Sequence, residues 1–322
     1  MESDSARALL EGPFGAVMAG VFGALWGSFF NVCIARVPRR QSVVSPGSHC
    51  FACRAPVRAR DNIPIVSSFL LRGRCRDCGA VFSVRYAAVE ALTAALGALL
   101  YWYFVVRDPA FAMGLRLARF ALGFAFTGVL VVLSFIDLDT KRLPDRITLP
   151  SIPIFFLAGF GTGDVPWLDR LLGAAVGYLA VRLIADGYYY ITGREGLGLG
   201  DGKLLAVIGV VLGWRALPLV IFAAAFVGIL VSVPILFWQH RRAKGQDPGQ
   251  PAADGASTAQ AGVPSTVEAG VPSTAEAEAL PAATSIRRTE VPFGPFLAAS
   301  ALVYLFVGEA AWDWFLGFLL PG

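Results

Sequence analysis

Two groups of residues in this chain have types and spacings that can do chemistry. The first is sulfur. Cys50-Phe51-Ala52-Cys53 and Cys75-Arg76-Asp77-Cys78 are C-x2-C knuckles with 21 residues between them. Two such pairs can present four thiolates tetrahedrally, the closed geometry of a structural zinc site, and iron held by the same sulfurs stays open. Two redox C-x-x-C motifs would need a thioredoxin-like context, which is absent. His49, beside Cys50, is read as a surface residue, and Cys33, inside an apolar run, as ordinary packing. The second group is carboxylate. The apolar run Leu130–Ile136 stops at Asp137, and Asp201 lies within Gly196-Leu197-Gly198-Leu199-Gly200-Asp201-Gly202-Lys203. An acid at the edge of a membrane-type segment is costly and so a functional candidate. Each also has a bland reading: Asp201 as a helix cap among linker glycines, Asp137 as an interfacial acid paired with Lys141 or Arg142. Brought face to face, the two can hold a water between them, one acting as base while the other, protonated, polarises a carbonyl. The glycines would then let a peptide backbone come close to Asp201. Asp139 and Asp145 lie further along the loop, where acids are commonly solvated or capping. A nucleotide-binding reading of the glycine run lacks the strand–turn–helix context it needs.

The elements that must position these residues are apolar blocks. The chain has 322 residues, 56% hydrophobic and only 16% charged, with a mean hydropathy of +0.63. Soluble domains carry roughly 25% charged residues. Blocks near the roughly 20-residue length of a membrane helix fall at 14–34, 86–106, 116–136, 147–162, 170–192, 203–213, 217–238 and 294–320. They define an all-α polytopic membrane protein of about eight transmembrane helices with a small zinc-knuckle insert. The block at 203–213 is too short to span unless it starts inside the glycine stretch. The divisions read as a first helix at 1–35, a four-cysteine metal-binding insert at 36–85, a membrane core at 86–242, a linker at 243–290 and a last helix at 291–322. The linker is rich in Ala, Pro, Ser, Thr, Gly and Glu, repeats Ala-Gly-Val-Pro-Ser-Thr at 261–266 and 269–274, and is expected to be disordered. Residues 1–12 lack the basic region and cleavage site of a secretory signal. Ten arginines of the insert face two acids, Asp61 and Asp77, which places the insert on the cytoplasmic side. Counting turns from there puts the junctions 137–146, 193–203 and 239–292 on the same side, so Asp137 and Asp201 share one depth. The net charge of +4 is modest, and no aromatic-interleaved basic face points to nucleic acid.

Taken in order, these residues resemble a known family, the bacterial type IV prepilin peptidases, which are GxGD-type aspartyl proteases acting as prepilin leader peptidase and N-methyltransferase. Gly198-x-Gly200-Asp201 is similar to the signature, and Ile136-Asp137 through Leu143-Pro144-Asp145 to the first catalytic segment. Gly27-Ser28-Phe29-Phe30-Asn31-Val32 with Arg36-Val37-Pro38 resembles the exit of the first helix. The cysteine pairs bracket Asp61-Asn62-Ile63-Pro64, Arg85-Tyr86 and Glu90 follow, and Pro292-Phe293-Gly294-Pro295 begins the last helix. The resemblance implies cleavage of the leader from prepilins and pseudopilins after a glycine, at the cytoplasmic face of the bacterial inner membrane. It implies N-methylation of the new N-terminus with S-adenosylmethionine as donor, although no pattern for binding that donor is legible. It assigns Asp137 and Asp201 as catalytic, the four cysteines as zinc ligands, and Gly198, Gly200 and Lys203 as supporting residues. Lys203 and the insert's arginines would meet charged groups of the leader or membrane lipids. Two departures stand out: Phe51 where the family often has proline, and the long 243–290 segment. Two readings from other classes are an ion-coupled transporter using the two aspartates and a zinc-containing membrane scaffold.

Overall fold

The computed structural model describes residues 9–193, 198–244 and 292–319. Among them the structure is helical, without a strand; the only β-type pairings are isolated bridges at His49–Pro56 and Arg74–Val81. The long helices are α1 (Pro13–Arg36), α3 (Arg85–Tyr101, continued by a π-helical turn at Trp102–Val106), α4 (Met113–Thr140), α5 (Asp145–Ala158), α6 (Trp167–Thr192), α7 (Leu199–Leu212), α8 (Ala216–Lys244) and α9 (Gly294–Leu319). A short helix, α2 (Val66–Leu70), lies in the segment between α1 and α3. All eight apolar blocks fall on a helix. Four helical stretches are long and apolar enough to cross a membrane: Pro13–Arg36, Arg85–Val106, Met113–Thr140 and Ala216–Pro234. The chain divides into two units, Met1–Leu230 with Pro292–Gly322, and Val231–Val291. Of the second, the described residues are the last turns of α8, so the segment expected to be disordered lies, beyond Lys244, outside the described residues.

Two boundaries differ from expectation, and both move the carboxylates. The sequence places Asp137, Asp139 and Thr140 in a loop, but α4 runs through them to Thr140. The Thr140 hydroxyl bonds the Ile136 carbonyl at 2.9 Å, and Lys141 then closes the helix in the left-handed region, φ 53°, with its N–H on the Asp137 carbonyl at 2.8 Å. Polar residues are therefore carried on the last helical turn. In α7 the helix starts at Leu199, inside the glycine stretch, and is 14 residues long. At 1.5 Å per residue that is about 21 Å, still short of a roughly 30 Å hydrocarbon core. Gly196 and Leu197 lie outside the described residues.

Packing explains how so short a helix is held. α7 lies along α6 at a glycine crossing, where a Cβ on Gly173 would sit 3.0 Å from the Gly209 Cα. Small residues at such a contact let two backbones approach closely, which in a membrane replaces the hydrophobic drive available in water. The other face of α7 supplies Leu204, Leu205, Val207, Ile208, Val210 and Val211 to the main core. That core also takes Phe126, Leu130 and Leu133 from α4, Phe155 from α5, Leu217 and Val220 from α8, and Leu297 and Ala301 from α9. A second cluster joins Phe30 and Ile34 of α1, Val89 of α3 and Ile136 of α4, directly beside Asp137. Buried Arg170, at the start of α6, donates to the Val165 carbonyl at 3.0 Å, Thr162 Oγ1 at 3.3 Å and the Val210 carbonyl of α7 at 3.4 Å.

Candidate active site and metal centre

Four acids lie where the cores of α4, α5 and α7 end, and their surroundings sort them. Asp139 is bound by Arg85 at 2.5 Å; the same guanidinium donates to the Phe135 carbonyl at 3.1 Å and lies 4.9 Å over the Phe135 ring. Asp145, the first residue of α5, is bound by Lys203 of α7 at 2.5 Å. The structure therefore engages both with cations from neighbouring helices, and gives Lys203 a partner within the chain. Asp137 is different. It is 6% exposed, and its Oδ2 accepts the backbone N–H of Gly294, the first residue of α9, at 3.0 Å. A helix N-terminus offers free N–H groups and a positive dipole end, so this carboxylate sits where an anion is favoured.

Asp201 is half-buried in the first turn of α7. It is not the cap: Gly198 occupies that position, with no side-chain cap bond, and Asp201 is three residues further on, its N–H on the Gly198 carbonyl at 3.1 Å. The carboxylate whose charge bears on Asp201 is Asp137. The two acids that the sequence singled out thus lie within electrostatic reach of each other. The neighbouring glycines divide by role. A Cβ on Gly200 would touch Leu143 at 3.3 Å, and one on Gly202 would touch Val181 at 3.2 Å, so both serve close packing of α7. At Gly198 the one contact of an added Cβ among the described residues is Asp201 Oδ2, at 3.9 Å.

The four cysteines come together. All four Sγ atoms lie within 4.8 Å of one another, with Cys50–Cys78 at 3.8 Å and Cys53–Cys75 at 4.0 Å. A tetrahedron of sulfurs about 2.3 Å from a zinc ion has edges of about 3.8 Å, so the donor set fits such a metal. The knuckles are built alike. Cys50 N–H bonds the Ala55 carbonyl at 2.9 Å and Cys75 N–H the Ala80 carbonyl at 2.8 Å; four residues after each first cysteine, Arg54 (φ 61°) and Gly79 (φ 71°) take positive φ. Backbone N–H groups of Cys53 and Ala52 bring the Cys50 thiol down to about 6, while Cys78, bonded by the other sulfurs, is pushed up to about 12, so the four thiols share their protons until a metal takes their place. Two ion pairs tie the knuckles across: Arg76 to Asp61 at 2.6 Å and Arg58 to Asp77 at 3.1 Å. His49 stays outside the cluster, its Nδ1 3.1 Å from the Gly47 carbonyl, and Cys33 is half-buried in α1.

Sequence reasoning missed two sets of partners. Gly294 was visible only as part of Pro292-Phe293-Gly294-Pro295, with nothing to connect it to Asp137. Glu90, Asn31 and Tyr86, noted without a role, tie these parts together: Asn31 Nδ2 of α1 donates to the Tyr86 carbonyl of α3 at 3.0 Å, and Glu90 of α3 accepts the Ile65 N–H of the insert at 2.7 Å.

Fold and site together define a helical membrane protein with two carboxylates within electrostatic reach of each other and four clustered thiols that could hold a metal. The chain belongs to the type IV leader peptidase family, whose model matches residues 124–233, and residues 21–104 match the bacterial peptidase A24 N-terminal domain. It is 37% identical over 245 residues to the prepilin leader peptidase/N-methyltransferase of Neisseria gonorrhoeae, covering 69% of this chain and 82% of that one. The proteins of the same name from Myxococcus xanthus (34% over 316 residues, 92% and 91% covered) and Aeromonas salmonicida (31% over 326 residues, 93% of each) match almost end to end. No solved structure matches the chain.

Proposed function

We propose that this protein is a membrane aspartyl endopeptidase of the bacterial inner membrane that removes the leader from type IV prepilins and pseudopilins, then methylates the new N-terminus. The observation that carries the reading is that Asp137 and Asp201 lie within electrostatic reach of each other in a chain of this family. Two carboxylates that feel each other's charge do not both ionise readily, so the pair holds one proton. The ionised member takes a proton from the attacking water; the protonated member donates a hydrogen bond to the scissile carbonyl and stabilises the oxyanion. The Gly294 N–H fixes one oxygen of Asp137 and favours its charge, which suits Asp137 to the role of base and Asp201 to that of acid. Gly198 sets no side chain of its own beside the Asp201 carboxylate, where the extended backbone of the substrate would lie. Lys203 serves by holding α7 to α5 through Asp145, and with it the height of Asp201.

The arginine bias supports eight spans, with the insert and both aspartates at the cytoplasmic face and the arginines against lipid headgroups. The donor set and its spacing support structural zinc in the insert. Methyl transfer rests on the relatives' shared name and calls for S-adenosylmethionine. The test is to incubate a prepilin with the wild type and with Asp137→Asn and Asp201→Asn, and to weigh the product's N-terminus. Each substitution is expected to slow cleavage by on the order of 10³-fold or more. Cleavage retained in either removes the dyad, and a wild-type product lacking the added methyl mass removes the second activity.

A further inference from the structure

Residues 21–104, which match the bacterial peptidase A24 N-terminal domain, carry neither carboxylate of the pair; both lie in the segment that matches the leader peptidase family, residues 124–233. Arg85, the first residue of α3, reaches from the first segment into the second, and it does so at the turn that holds Asp137.

That turn is an unfavourable place for acids. α4 ends at Thr140, its last turn brings in Asp137 and Asp139, and no basic residue of its own stands there. A helix C-terminus is the negative end of the dipole, so a carboxylate is disfavoured at it and a cation is favoured. The last turn also has carbonyls without intrahelical partners and is the part of a helix that frays. A reacting carboxylate carried on such a turn needs support from outside the helix to keep its place.

Arg85 supplies that support. Its Nη1 donates to Asp139 Oδ1 at 2.5 Å, its Nη2 donates to the Phe135 carbonyl at 3.1 Å, and the guanidinium lies 4.9 Å over the Phe135 ring. The gripped residues stand two before and two after Asp137. At 3.6 residues per turn each lies about 200° round the helix from it, so Arg85 holds the face opposite to the one that Asp137 presents to Gly294. The base from which Arg85 reaches is itself fixed. The carbonyl of Tyr86, the next residue, accepts Nδ2 of buried Asn31 at 3.0 Å. α1 and α3 pack so closely that a Cβ on Gly27 would sit 2.7 Å from the Glu90 Cα. The apolar cluster of Phe30, Ile34, Val89 and Ile136 fills the same corner and ends at the residue before Asp137.

We propose that Arg85 is a positioning residue for leader cleavage, fixing the height and rotation of Asp137 without touching substrate; this rests on the dyad reading above. A planar fork can take a carbonyl and a carboxylate at once, which the single ammonium of a lysine does not reproduce. The side chains of Arg85 and Asp139 are 33% and 42% exposed, so their ion pair adds little to stability, and its consequence lies in the geometry of the turn.

Prepilin cleavage is followed with full-length protein in nanodiscs, kcat and KM being taken separately for the wild type, Arg85→Ala, Arg85→Lys, Asp139→Asn and Asp137→Asn. Hydrogen exchange over the end of α4 is read by mass spectrometry. Arg85→Ala is expected to lower kcat by about 10²-fold, the cost of displacing a reacting group by about 1 Å, with KM within about two-fold of the wild type. The backbone amides of residues 138–141 should exchange faster in the same variant. Arg85→Lys should recover part of the loss. Asp139→Asn, which leaves the Phe135 carbonyl to Arg85, should lose less than Arg85→Ala. Three results overturn the inference: full kcat in Arg85→Ala, a loss that appears as raised KM, or a lowered kcat with exchange unchanged. The second of these would place Arg85 against the substrate. Should thermal unfolding show that Arg85→Ala does not fold, Arg85→Lys decides: a lowered kcat at constant KM supports the positioning role, and wild-type kcat overturns it. Cleavage retained in Asp137→Asn strikes the dyad reading and this inference with it. An inactive Asp137→Asn beside a fully active Arg85→Ala strikes this inference alone.

Discussion

Asp137 and Gly294 are 157 residues apart in the chain, yet their contact has no slack: a Cβ at Gly294 would sit 2.6 Å from Asp137 Oδ2. Glycine is required there for space, because any side chain pushes the carboxylate out of line with Asp201. Gly294→Ala is therefore expected to lower kcat for leader cleavage by on the order of 10²-fold, the usual consequence of moving a reacting group by about 1 Å. Unchanged cleavage would show that Asp137 tolerates displacement. Arg54 poses the opposite case. It takes φ 61° where the matching knuckle has Gly79, and a non-glycine residue there costs about 1 kcal/mol. Arg54→Gly should raise the metal-loaded insert's stability by about 0.5–1 kcal/mol in thermal unfolding, and a lowered midpoint would refute that cost. The acids and thiols were legible because their types are scarce at the edges of apolar runs. Gly294 was not, since a backbone N–H leaves no trace in side-chain chemistry.

Among the elements, α7 shows best what could and could not be read. Its apolar run was evident, and so was the need to begin inside the glycines; its start at Leu199 meets that need. The glycines' purpose was less visible. Gly200 and Gly202 read as room for a substrate, but Leu143 and Val181 fill that room. Lys203 likewise read as a contact for charged leader or lipid, whereas Asp145 claims it. Spacing along the chain cannot show which helix faces which, so pairing between α5 and α7 had to come from the fold. That pairing can be tested by exchange. Lys203→Asp alone places two acids together and is expected to slow cleavage, and adding Asp145→Lys should restore most of the loss. The pair is partly exposed, 23% and 55%, so its own worth is under about 1 kcal/mol, and the effect would come through the height of Asp201. Failure of the exchange to restore activity would return Lys203 to a direct role with substrate.

For the molecule as a whole, the question is what the insert adds to a bundle that already holds both carboxylates. The sequence showed a small arginine-rich segment with four thiols, and from its size alone a metal was expected to hold it together. The structure makes the dependence explicit: between residues 41 and 88 the buried side chains are Cys50 and Cys75, while Phe51, Phe69, Leu70 and Val81 are exposed. There is no apolar core to fall back on. Of the ion pairs, Arg76 holds the Asp61 carboxyl below its ordinary range. A depressed acid contributes above its unfolded value, about pH 4, and loses that contribution only as pH falls through the lower folded value, so it is constant from about pH 5 to 8. Within that window the metal is the variable. Chelation at about pH 7 should therefore open the insert by itself, making Cys50, Cys53, Cys75 and Cys78 reactive to maleimide while the helical circular dichroism of the membrane bundle persists. Leader cleavage should decline less, since Asp137 and Asp201 are placed by α4, α7 and α9. Thiols that stay protected once the metal is gone, counted by mass spectrometry, would mean that the ion pairs and the contacts of Glu90 hold the insert on their own.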